Sequence, residues 1–165
     1  MIVWVNGAFG VGKSHTAAEL VRRVPGAVLS DPEPVGFSLH RMQSKPLRTD
    51  FQDIAGWRVA IREVIATIDA DGRWPVVVVP MTIVDEAHFA DTVGWLRDHG
   101  HDVRHVALVA TADTIRRTDG LALDAVVEEV ARVVAPLPRV RRHAGCATSC
   151  VRLSTAYLWM TTAYP

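Results

Sequence analysis

Eight consecutive residues, Gly7-Ala8-Phe9-Gly10-Val11-Gly12-Lys13-Ser14, carry the type and spacing G-x-x-x-x-G-K-[ST] that cradles phosphates. Glycines at these positions let the backbone curl and turn its N–H groups inward toward phosphate oxygens. Lys13 has the reach to neutralise β- and γ-phosphates, and the Ser14 hydroxyl suits a Mg²⁺ ion. The apolar run Ile2-Val3-Trp4-Val5 precedes the loop as a strand should, and a helix follows whose N-terminal dipole adds positive potential. The sequence therefore predicts an ATP and Mg²⁺ site formed by Gly7, Ala8, Phe9, Gly10, Val11, Gly12, Lys13 and Ser14, with His15 at its edge and Ser14 as the metal ligand.

Three further places offer chemistry. Asp31 closes a short apolar segment, Ala27-Val28-Leu29-Ser30, and a carboxylate there can serve as general base toward an acceptor hydroxyl. Its plainer role is a turn-former ahead of Pro32, and Glu33 is a second, weaker candidate in the same loop. Asp50-Phe51-Gln52-Asp53 with Trp57 and Arg58 mixes acids, aromatics and a guanidinium. That mix suits a pocket for a ring- or sugar-bearing molecule, with Arg58 as a phosphate clamp, or a capped amphipathic helix start. Pro80-Met81-Thr82 ends the central strand where many ATPases place a Mg²⁺-organising Asp, and here Thr82 offers only a hydroxyl. His99, His101 and His105 straddle a turn and a strand start, and His143, Cys146 and Cys150 lie in the tail; neither group completes a recognisable metal set.

The elements that must position these residues follow from periodicity. Strands are predicted at 2–6, 27–30, 75–80 and 103–110, and Pro75-Val76-Val77-Val78-Val79-Pro80 reads as buried on both faces of a parallel sheet. Helices are predicted at 13–24, about 51–71, 85–99 and 121–134, while Pro32 and Pro34 are expected to keep their segment extended or turned. Strand and helix alternate, which means a doubly wound α/β domain with a mainly parallel sheet and flanking helices over residues 1–135. Loops after residues 6, 30, 80 and 110 should frame one site. Residues 136–165 form a tail with no assigned structure.

Composition narrows the partners. In 165 residues, Lys+Arg and Asp+Glu both number 18, so net charge gives no pull toward nucleic acid or an anionic membrane. The only lysines are Lys13 and Lys45, which excludes the Asn/Thr-Lys-x-Asp guanine element of Ras-like GTPases. Two cysteines suit a reducing compartment, and no apolar stretch reads as a secretory signal or a transmembrane segment, so a cytoplasmic location is expected.

The chain resembles the tunicamycin-resistance, TmrB-like group of P-loop proteins, related to small-molecule and nucleotide kinases. The resemblance rests on residues 2–14, on Ser30-Asp31-Pro32-Glu33 with Val35-Gly36-Phe37, on Asp50-Phe51-Gln52 with Trp57-Arg58, and on Val79-Pro80-Met81-Thr82-Ile83-Val84. It implies a P-loop NTPase fold of nucleoside-kinase type, ATP binding, a small-molecule substrate and antibiotic resistance, and it supports Asp31 on the acceptor side. It breaks at Ile115-Arg116-Arg117. Members of the group continue into an Arg-rich lid and a further strand, whereas this sequence passes directly to Thr118-Asp119-Gly120. The lid and the last strand are therefore expected to be missing, with Arg117 a partial substitute for lid arginines. The sheet edge so exposed would need a homodimer partner or the tail to cover it.

Two functions fit. One is an ATP-dependent phosphotransferase acting on a nucleoside-like antibiotic, with Lys13, Asp31, Arg58 and Arg117 as its catalytic residues. The other is a non-catalytic ATP-binding protein that sequesters the antibiotic or is a degenerate kinase relative.

Overall fold

The computed structural model describes residues 1–110, 127–128, 130–132, 148–152 and 156–161. Four strands, β1 (Ile2–Gly7), β2 (Val28–Leu29), β3 (Val77–Pro80) and β4 (Val103–Ala110), form an all-parallel core in the order β2-β3-β1-β4. Helices α1 (Lys13–Arg23), α2 (Glu33–Met42) and α3 (Ala55–Asp71) fill the first crossovers. The last crossover is one helical run, α4 (Glu86–Phe89), a π turn (Ala90–Gly94) and α5 (Trp95–Asp98).

Alternation along β1 and β3 explains the layering. Val3, Val5, Val76 and Val78 face α1 and pack with Ala17 and Leu20. Ile2, Trp4, Val77 and Val79 face the other way, onto Trp57, Ile61 and Ile65 of α3 and Leu96 of α5. Both faces of each strand are thus apolar, which is why the valine run shows no polar alternation. Each such side chain contributes about 1.5–3 kcal/mol on burial.

α1 leaves β1 on one face and α4 leaves β3 on the other, so a crevice opens between their carboxyl ends, the switch point where ligands bind in open α/β sheets. The predicted helix at 121–134 is helical at 127–128 and 130–132, and Val130 joins the core on the α1 face.

The tail is not without structure. β5 (Thr148–Arg152) and β6 (Ala156–Thr161) pair antiparallel, and β6 lies antiparallel along β4 from His105↔Thr161 to Ala110↔Ala156. Residues of the tail therefore cover the β4 edge, in the place a further parallel strand would take. The lid position, Arg117, the Thr118-Asp119-Gly120 turn, His143 and Cys146 lie outside the described residues. No helix among the described residues is long and apolar enough to cross a membrane.

Two local expectations need correction. Pro32 and Pro34 do not hold an extended segment; they sit at the N-cap and in the first turn of α2. Proline's fixed φ suits a helix start, where its missing N–H costs nothing. The helix expected from Phe51 begins instead as a 3-10 turn (Phe51–Asp53), capped by Asp50, and becomes α3 only at Ala55.

Candidate functional site: a phosphate loop facing a carboxylate-bearing wall

The phosphate loop leaves β1 at Gly7 and enters α1 at Lys13, with Gly10 and Gly12 in the left-handed region at φ 81° and 96°. Gly7 is obligatory for a separate reason: a Cβ there would lie 2.6 Å from the Leu108 carbonyl oxygen of β4. No side chain caps α1, so its first N–H groups remain available to an anion. The Lys13 ammonium folds back over the loop and donates to the Ala8 carbonyl at 3.0 Å, with only 8% of the residue exposed. Burial pushes its pKa down, and the negative charge of Glu33 partly offsets that. A buried cation bonded to a single carbonyl, beside uncapped N–H groups, is the donor set a polyphosphate would satisfy. Ser14 and His15 are exposed in the first turn of α1, where Ser14 can hold Mg²⁺.

Asn6 and Thr82 tie this loop to the end of β3. The Asn6 amide donates to the Ile83 carbonyl at 2.7 Å and accepts from the N–H groups of Ile83 and Gly7. The Thr82 hydroxyl donates to the Gly7 carbonyl at 2.8 Å. The strand-end position that carries an Asp in many ATPases is used here to brace the loop's backbone.

The opposite wall comes from α2, the 3-10 turn and the start of α3. Asp31 is exposed and its Oδ1 accepts the Glu33 N–H at 3.0 Å, so it shapes the start of α2. Asp50 does the same for the 3-10 turn through the Gln52 N–H. Trp57 is fully buried and donates from Nε1 to the Pro32 carbonyl at 3.2 Å, fixing α2 against α3. Phe51 stands edge-on between Trp57 and Phe37, with centroids 5.2 and 5.6 Å away. Gln52 Nε2 reaches the Thr82 carbonyl at 2.9 Å and closes the circuit back to the loop.

The candidates thus separate. Of the candidate carboxylates, it is Glu33, ranked below Asp31 by its residue pattern, whose negative charge bears on Lys13. Arg58 is turned to the flank, with Nε 3.0 Å from Asp91 and Nη1 donating to the Gln52 carbonyl, so its present work is to hold the 3-10 turn to the helix after β3. Arg117 lies outside the described residues. Glu33 was findable: Asp-Pro-Glu-Pro reads as a helix start with an acid in its first turn, which would have turned Glu33 and Phe37 onto one face. The histidines at the far end serve packing: His99 stacks on Trp95 at 3.8 Å, His101 bonds Asp69 at 2.7 Å, and His105 stands edge-on to Phe89. Burial, then the charge of Arg97, push the His105 pKa down to about 4.

Solved structures with this fold are known. The chain is similar to the Deinococcus radiodurans tunicamycin resistance protein, with 26% identity, a TM-score of 0.64, and 81% of this chain and 92% of that one covered. It also shares its fold with the Mycobacterium tuberculosis APS kinase CysC, solved as a point mutant, at 23% identity and a TM-score of 0.59, with 82% and 97% covered. No curated protein matches. The profile of the AAA domain family matches residues 2–119. That match spans most of the chain, and the protein belongs to the AAA domain family.

Proposed function

We propose that this protein binds ATP with Mg²⁺ on the phosphate loop and transfers the γ-phosphoryl group to a hydroxyl of a nucleoside-like small molecule, conferring tunicamycin-type resistance in the cytoplasm. The observation that supports this reading is the buried Lys13 ammonium, bonded to the Ala8 carbonyl at the end of the phosphate loop, with the negative charge of Glu33 favouring its charged form. A cation for the transferring group and carboxylates for the acceptor stand on opposite walls.

In the transfer, the acceptor oxygen bonds to the γ-phosphorus, the bond from that phosphorus to the ADP oxygen breaks, and the hydroxyl proton passes to Asp31. Lys13 and the loop N–H groups bear the charge. Arg58, on leaving Asp91, and Arg117 add to it. Mg²⁺, when bound at Ser14, supplies further charge neutralisation.

The test is incubation with ATP, Mg²⁺ and tunicamycin, followed by mass analysis of the antibiotic for one added phosphate. Lys13→Ala should reduce the rate by about 10³-fold, and Asp31→Asn by about 10²-fold or more. Full activity in Asp31→Asn, with loss in Glu33→Gln, moves the base to Glu33.

The second reading, a non-catalytic ATP-binding protein that sequesters the antibiotic, is favoured by one feature. Thr82 replaces the strand-end carboxylate and spends its hydroxyl on Gly7. ATP binding with no phosphorylated product would select it.

A further inference from the structure

Two arginines of α3, one helical turn apart, hold Asp91 from both ends. Arg58 Nε lies 3.0 Å from its carboxylate Oδ2, and Arg62 Nη1 donates to its backbone carbonyl at 3.0 Å. Asp91 belongs to the π turn Ala90–Gly94. There the Trp95 N–H, which an α-helix would give to the Asp91 carbonyl, goes to the Ala90 and Thr92 carbonyls instead. The extra residue of such a turn re-aims the side chains around it, and π turns recur at functional sites.

From Asp91 a continuous line of bonds runs to the phosphate loop. Arg58 donates from Nη1 to the Gln52 carbonyl. Gln52 Nε2 donates to the Thr82 carbonyl at 2.9 Å, and the Thr82 hydroxyl donates to the Gly7 carbonyl at 2.8 Å. The Gly7 carbonyl and the Ala8 N–H share one rigid peptide plane, so the bond from Thr82 fixes where that N–H points. Ala8 in turn offers its own carbonyl to Lys13. At the other end of the line, the Arg58 side chain is only 13% exposed, so its guanidinium needs a counter-ion where it stands. Asp85 also feels the charge of Arg58, but its carboxylate is committed as the cap of α4, accepting the His88 N–H. Asp91 is the acid that bonds Arg58.

We infer that Asp91 is a positioning residue for nucleotide binding: through Arg58, Gln52 and Thr82 it fixes the peptide plane that opens the phosphate loop. This rests on the reading that the loop holds ATP, which both functions above share. It adds that the grip on ATP is set from the helical run after β3. The arrangement belongs to the stage at which nucleotide loads, before Arg58 leaves Asp91 for the group in transfer.

The test is calorimetric titration of the whole chain with the β,γ-imido analogue of ATP and Mg²⁺, with melting curves verifying the fold of each variant. Asp91→Asn keeps the shape of a side chain that is 52% exposed, so the core is untouched. It should weaken binding by about fivefold or more. That sign is diagnostic, because removing a negative charge would by its field alone favour an anionic nucleotide. Gln52→Ala should cost a similar factor, and the two together no more than about twofold beyond the larger single loss, since both cut one line. Asp91→Glu should bind within about twofold of the unaltered protein, because it keeps the charged partner of Arg58. The inference is overturned if Asp91→Asn binds as tightly as the unaltered protein or more tightly, if the two losses multiply, or if Asp91→Glu recovers nothing. An unaltered protein that does not bind the analogue would sink the ATP reading and this inference together, whereas equal binding by protein and variants sinks the inference alone.

Discussion

The phosphate loop and the segments beside it at the carboxyl ends of β2 and β3 are built differently. The first is one continuous stretch, residues 7–14, whose function lies in backbone N–H groups, two left-handed glycines and one folded-back lysine. The second is assembled from Asp31–Phe37, Asp50–Trp57 and Thr82–Val84, joined through Trp57 to Pro32, Gln52 to Thr82 and Phe51 to Phe37. A ligand common to many proteins can be held by local backbone geometry. A ligand particular to one protein needs side chains brought in from several crossovers.

Glycine substitutions on each wall sharpen that contrast. Gly7→Ala should have the largest effect, about 3 kcal/mol of lost stability. The new Cβ meets the Leu108 carbonyl oxygen at 2.6 Å and Val11 Cγ1 at 2.9 Å with φ at 147°, and the carbonyl, being backbone of β4, cannot swing aside. Thermal melting measures it, and an unchanged midpoint would mean that β4 does not press on the loop as described.

Next in size is acid sensitivity, which enters through β4 on the α3 side of the sheet, where His105 stands edge-on to Phe89. His105 pairs in register with Trp4 of β1 and has its pKa pushed down to about 4, against about 6.5 when unfolded. The unfolded chain therefore binds the proton first, and stability falls as pH drops from about 6.5 toward 4, by at most about 3 kcal/mol. Denaturant titrations across that range should show a flatter pH dependence in His105→Gln; identical slopes would count against a buried neutral imidazole.

Gly36→Ala should be the mildest, about 1 kcal/mol. Its Cβ would fall 2.4 Å from a carbon of the Phe51 ring, which must swing aside, while alanine gains helix propensity in α2. Acceptor affinity should drop several-fold more than ATP affinity. Equal losses of both would show that the two walls are not separable.

Much of the parallel core was legible. The valine run of β3, the 103–110 strand and the 13–24 helix are stated by apolar patterning, because each is buried on a face its own period reveals. The 31–53 region was misread, since Pro32 and Pro34 carry opposite meanings in a loop and in the first turn of a helix. Only contacts distant in sequence, such as Trp57 with the Pro32 carbonyl, select between them. Arg58 reads equally well as a phosphate clamp or a brace, and Asp91, 33 residues away, decides its present role.

By itself, then, the sequence determined the phosphate loop, the strand before it and the helix after it, because that site is mostly backbone within one stretch of eight residues, with Asn6, Thr82 and Leu108 only bracing it. The tertiary structure decided that Glu33 is the carboxylate whose charge bears on Lys13, that Phe37 stays exposed while Trp57 is buried, and that β6 of the tail lies along the β4 edge. Those outcomes depend on pairings between segments far apart in the chain, and no local spacing records them.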